Sequence, residues 1–120
     1  MPTLTTLNFS ETYRDGVLIL ELRGPIDSAL ALEALIEIAT QSTAQHVVVV
    51  ISEVDYINSA GFSALIRLSE AITQKNKGVF IVGLQSKVHV VFNSLGAHAV
   101  LNILPSLKDA LERIQASTTK

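Results

Sequence analysis

At 120 residues, with 48% hydrophobic and 17% charged side chains, the chain holds enough apolar material for one core and little more. A net charge of -2, with acids and bases scattered along the chain, leaves no basic stripe and excludes nucleic acid as the expected partner. The absence of cysteine excludes disulfides, thiolate chemistry and Cys-ligated zinc.

Residues Met1 to Ser10 carry neither a basic start nor an apolar run, so no signal peptide is expected. Thr5 to Tyr13 alternates loosely, Arg14-Asp15-Gly16 is a turn signal, and Val17 to Leu22 is apolar; together they predict a β-hairpin that Gly24-Pro25 ends. Ser28 to Thr40 carries Leu30, Leu32, Leu35 and Ile36 at helical spacing, with Asp27 or Ser28 as the cap. The β-branched run Val47 to Ile51 suits a central strand covered on both faces, and the stretch from His46 is too short to span a bilayer. Ser59 to Gln74 predicts a second helix and Gly78 to Gly83 another buried strand. Ser86 to Leu95 predicts a third helix closed by Gly96, and Val100 to Ile103 a short last strand. Ser106 to Gln115 follows as a helix with Leu107, Leu111 and Ile114 on one side, and Ala116 to Lys120 is expected to fray. The order β-β-α-β-α-β-α-β-α predicts one α/β domain over residues 1–120, its sheet mixed but mostly parallel, with an N-terminal hairpin and about four helices.

The most informative stretch is Asp55-Tyr56-Ile57-Asn58-Ser59-Ala60-Gly61-Phe62, between the central strand and the second helix. Loops at the carboxyl ends of strands are where open α/β sheets place their sites. Ser59 falls where the helix begins and is expected to cap it; the first-turn N–H groups there favour negative charge. A phosphate on Ser59 would add about 1.5 to 2 negative charges, enough to turn away a partner shaped for the hydroxyl. On an ideal helix Gly61, Ala64, Leu65, Leu68 and Ile72 form the core face, while Phe62 and Ile66 project beside Ser59 as a contact surface for another protein.

The segment from Ser52 to Leu65, with its Asn-Ser-Ala-Gly-Phe centre, resembles the signature of the STAS domain family, whose small bacterial members include the anti-sigma-factor antagonists. Gly24-Pro25-Ile26-Asp27 resembles the family's turn before the first helix, and Ser86-Lys87-Val88 through Leu95-Gly96 its late helix. The resemblance implies that Ser59 is the phosphoacceptor and that Asp27 lies near the interface with the partner. That partner is a protein both anti-sigma factor and serine kinase; it is bound when Ser59 is unmodified and released on phosphorylation, and a phosphatase reverses the step. Partner contacts are expected at Asp27, Asn58, Ala60, Gly61, Phe62 and Ile66. Asn58 stands where the family usually has Asp, and Ala60 where it often has a second hydroxyl.

No Gly-rich phosphate loop, GxSxG elbow, Cys nucleophile or HExxH is present, so a cytoplasmic binding protein, not an enzyme, is expected, without cofactor or membrane insertion. His46, His89 and His98 lie far apart without metal-ligand spacing, and no metal site is predicted from them. Two other readings share the fold. One is a constitutive STAS subunit of a larger, for example transport-associated, assembly; the other is a small-ligand or nucleotide-binding domain using the same helix start as an anion site.

Overall fold

In the computed structural model, which describes residues 6–118, the hairpin comprises two seven-residue strands, β1 (Asn8–Arg14) and β2 (Val17–Arg23). Asp15 and Gly16 join them with φ of 53° and 80°, the two left-handed residues that a tight hairpin turn demands. The expectations that fall on residues 1–5 and 119–120 lie outside the described residues.

The chain continues through α1 (Glu33–Gln41), β3 (His46–Glu53), α2 (Ser59–Gln74), β4 (Gly78–Val82) and α3 (Ser86–Ser94). A 3-10 turn (Ala97–Ala99), β5 (Ile103–Leu104) and α4 (Leu107–Thr118) complete it. The five strands lie in chain order, the first pair antiparallel and the other three pairs parallel. That is the mixed, mostly parallel α/β sheet with four helices predicted from the sequence.

Alternation along the strands divides the core in two. Leu18, Leu20 and Leu22 of β2 and Val47, Val49 and Ile51 of β3 face α1, α2 and α3. Val17, Ile19, Val48 and Val82 face the opposite way, onto Ala110 and Ile114 of α4. A strand covered on both sides must be apolar at every step, which explains the unbroken run of β-branched residues in β3.

Three expectations are corrected. The first helix begins at Glu33, not Ser28; Leu32 precedes it with no side-chain cap, so neither Asp27 nor Ser28 caps it. Residues 28–32 instead form successive turns, Ser28 carbonyl accepting from Ala31 N–H (3.2 Å) and Leu30 carbonyl from Glu33 N–H (3.3 Å). The last strand is displaced to Ile103–Leu104, because Val100 and Leu101 N–H groups close the 3-10 turn on Ala97 carbonyl (3.0 and 2.8 Å). The final helix, entered through Ser106, whose Oγ accepts from Asp109 N–H (3.2 Å), continues through Ala116 to Thr118 where fraying was expected.

Candidate functional site

β2 and β3 are parallel neighbours, so the chain leaves the sheet twice at the same end. The two exits stay zipped together. Gly24 N–H donates to Glu53 carbonyl (3.2 Å), Ile26 N–H to Tyr56 carbonyl (3.0 Å) and Asn58 N–H to Ile26 carbonyl (3.4 Å). Ile26 and Ile57 form a parallel bridge with both side chains buried in the core. The pairing brings Asp27 beside Asn58, residues 31 positions apart in sequence.

Asn58 connects the two exits. Its backbone is extended (φ -117°, ψ -176°), and its side-chain oxygen accepts from Gly61 N–H at 2.9 Å, capping α2. Its side-chain Nδ2 donates to Asp27 carbonyl at 3.2 Å. The amide supplies both an acceptor and a donor; an ionised carboxylate could cap but could not donate. The cap assigned from sequence to Ser59 therefore belongs to Asn58. The bridge at Ile57 keeps Asn58 extended, as a capping residue must be, and leaves Ser59 as the first helical residue. Ser59 is exposed and its hydroxyl takes no part in capping.

Gly61 is buried beneath this junction. A Cβ there would lie 1.8 Å from Ile26 carbonyl oxygen, so the helix meets the neighbouring turn at a distance only glycine allows. Ala60 is half-buried beside it. Gly61, Ala64, Leu65, Leu68 and Ile72 are all buried, as the helical spacing predicts.

The projection of Phe62 and Ile66 onto an open surface is corrected. Phe62 is 7% exposed and meets Phe92 of α3 edge to face, ring centroids 5.5 Å apart. Ile66 is half-buried against the same core. An isolated helix has an open flank here; Phe92 covers it.

The exposed apolar groups of this end are different residues. Leu30, in the turns before α1, is 70% exposed, and Tyr56, three residues before Ser59, is 52% exposed. Leu30 fits the helical spacing that pointed it inward, so its sequence position misleads. Tyr56 gave no usable signal: it stands two residues after buried Val54 and next to buried Ile57, so a two-residue alternation does not point it outward. Arg67 was also missed. Its guanidinium donates to Ala29 carbonyl (3.1 Å) and to Glu33 carboxylate (2.7 Å), tying α2 to the turns that carry Leu30.

Asp27 is exposed at the rim, its backbone carbonyl held by Asn58, the residue before Ser59. The site thus offers the Ser59 hydroxyl, the Asp27 carboxylate and two exposed apolar side chains around the Asn58 junction. Among the described residues no cluster of three or more His, Asp or Glu could hold a metal ion, and no helix is long and apolar enough to cross a membrane.

The same fold recurs in known proteins. A crystal structure of an anti-sigma factor antagonist from Mycobacterium paratuberculosis superposes with a TM-score of 0.83 at 21% identity, over 96% of this chain and 99% of that one. The Bacillus cell fate determinant SpoIIAA in its phosphorylated form gives a TM-score of 0.63 at 14% identity, over 89% and 99%. SLC26A9 gives 0.70 at 20% identity, over 86% of this chain and 20% of that one. At such identities these likenesses carry the fold alone, and no curated protein matches the sequence. A model of the STAS domain family matches residues 9–110, a span that holds both zipped exits and the helix begun by Ser59, and the chain belongs to that family.

Proposed function

We propose that this protein is a cytoplasmic regulatory binding protein of the anti-sigma-factor-antagonist kind, switched by phosphorylation of Ser59. Unmodified, it binds a partner that is both anti-sigma factor and serine kinase; phosphorylated, it lets go, and a phosphatase resets it. The observation that carries this reading is the division of labour at the start of α2. Asn58 caps the helix, so the exposed Ser59 hydroxyl is free to be modified without loss of a structural hydrogen bond. A phosphate there gains from the helix start and adds about 1.5 to 2 negative charges to the exposed surface, changing the surface and not the fold. Support also comes from SpoIIAA, a protein of this fold known in a phosphorylated form.

Asp27, Ser59, Ala60 and the outer edge of Asn58 form the proposed contact surface, with Leu30 and Tyr56 as its apolar anchors. Gly61, Phe62 and Ile66 act from beneath, by fixing the position of the helix start.

The test compares partner capture from the native cells by the wild-type protein, Ser59→Ala and Ser59→Asp, with the phosphosite mapped by mass spectrometry. Ser59→Ala should bind as the unmodified protein does, and Ser59→Asp at least tenfold more weakly. The SLC26A9 likeness favours a second reading, a constitutive subunit of a larger assembly. Equal capture by both variants, with Ser59 unmodified in every growth condition, would establish that reading instead.

A further inference from the structure

His89 and His98 are too far apart in sequence for a recognisable metal motif, yet the fold returns one to the other. α3 carries His89 in its first turns, and Gly96, with φ of 68°, reverses the chain after the helix. The 3-10 turn then lays His98 back alongside α3. The two rings stand 6.0 Å apart between centroids, inclined at 67°. Both line a cavity of about 350 Å³ at the β5 edge of the sheet, with Leu84, Ile103, Leu104 and Pro105 as its remaining wall.

A third residue sets the chemistry of the pair. The Asn93 amide, one helical turn beyond His89, lies 3.2 Å from His89 Nδ1. With Nδ1 engaged, Nε2 is the open nitrogen. Imidazoles that hold metals are oriented in this manner, the non-ligating N–H being given to a neighbouring acceptor. A half-turn of the Asn93 amide presents its oxygen to Nδ1–H and leaves the Nε2 lone pair for an ion. With metal–nitrogen bonds of about 2.0–2.1 Å, two imidazoles sharing one ion have centroids roughly 5 to 6 Å apart, the value rising with the angle at the metal. The observed separation of 6.0 Å lies at the upper end of that range.

We propose that His89 and His98 form a two-histidine site for a divalent transition metal of the zinc and copper class, with Asn93 as its positioning residue. The other coordination positions open onto the cavity and take water. Imidazole ligands suit zinc, copper and nickel, and among the described residues no carboxylate joins the pair to favour calcium or magnesium. A bound ion would clip α3 to the turn before β5, independently of Ser59.

The test is calorimetric titration of Zn2+ into the protein without a polyhistidine tag, in a non-chelating buffer. Broadening of the histidine ring signals by Cu2+ in NMR spectra gives a second readout. One ion per chain is expected. His89→Ala and His98→Ala should each lower affinity at least tenfold. His46→Ala should leave binding unchanged, since His46 lies at the amino end of β3 and lines a different cavity. Asn93→Ala should weaken binding roughly tenfold, and Asn93→Asp should restore or tighten it, because a carboxylate is the stronger acceptor for Nδ1–H. Circular dichroism checks that each variant is folded, as exposed positions allow. Absence of binding at millimolar Zn2+, unaltered affinity in either the His89 or the His98 variant, or an equal loss in His46→Ala would each overturn the site.

Discussion

The turns that follow β2 and β3 open with nearly the same residues, Ile26-Asp27-Ser28-Ala29-Leu30 and Ile57-Asn58-Ser59-Ala60-Gly61. The bridge between Ile26 and Ile57 sets them side by side in parallel register. Their structures nonetheless diverge at once. Asn58 caps a sixteen-residue helix, while Asp27 caps nothing and five residues pass in turns before α1 begins. Two differences account for this. Asn58 both accepts and donates, so it caps its own helix while holding the neighbouring turn; Asp27, an acceptor only, has its backbone carbonyl used from outside. Three residues on, Gly61 lets the helix rest on Ile26, whereas Leu30 at the matching step stands in solvent. The same opening residues thus yield one rigid helix start and one ridge of turns, and the proposed switch uses both.

Removing the second difference should have the largest effect. Gly61→Ala places a Cβ against Ile26 carbonyl, which neither backbone can escape without moving the helix. We expect a loss of about 3 kcal/mol or more in urea denaturation, at the upper end for an overpacked site. Phe62→Ala should cost a comparable amount, about 3 kcal/mol, by opening a cavity against Phe92. If Gly61→Ala cost less than about 1 kcal/mol, the helix start would be free to slide, and the close contact would not be what separates the two turns.

Altering the first difference should have a middle-sized effect. Asn58→Ala removes the cap and leaves Asp27 carbonyl without its donor, a cost of about 2 kcal/mol. Asn58→Asp keeps the cap and its favourable place at the helix start, but sets a carboxylate against that carbonyl; about 1 kcal/mol should be lost. Asp27→Asn should change stability by less than about 0.5 kcal/mol, because no helix waits to be capped there. Thermal denaturation of the three variants in that order checks the argument. An Asn58→Asp protein as unstable as Asn58→Ala would show that the tie to Asp27 matters more than the cap.

What could be read from the sequence divides along the same line. The hairpin, β3, β4 and α2 were legible because each rests on local signals: Asp15-Gly16, β-branched runs, and the repeat of Gly61, Ala64, Leu65, Leu68 and Ile72. That a central strand passes into a helix through Asn58–Phe62 was legible for similar reasons. Which of Asn58 and Ser59 caps α2 was not, because the choice depends on the backbone of Asn58, held extended by a bridge to Ile26. The start of α1 failed because Leu30, Leu32, Leu35 and Ile36 keep helical spacing although residues 28–32 only turn. Phe62 was misplaced because its cover, Phe92, comes from another helix. The approach of His89 to His98 likewise depends on a chain reversal at Gly96.

The smallest effect on stability should come from the two residues that the comparison leaves in solvent. Leu30→Ala and Tyr56→Ala remove side chains that are 70% and 52% exposed, and each should shift unfolding by less than about 0.5 kcal/mol. Their effect should appear in binding. If the two turns together form the partner surface, either variant should weaken capture of the partner by tenfold or more, the loss of about 1.4 kcal/mol associated with an apolar anchor. Measured beside Ser59→Asp, the pair would separate the two components of the proposed recognition: a serine that sets whether the partner stays, and Leu30 and Tyr56 that set how tightly it is held. Should both variants bind normally while Ser59→Asp does not, the partner would be reading only the helix start, and the ridge of turns before α1 would be a consequence of Leu30 having no glycine's freedom to pack.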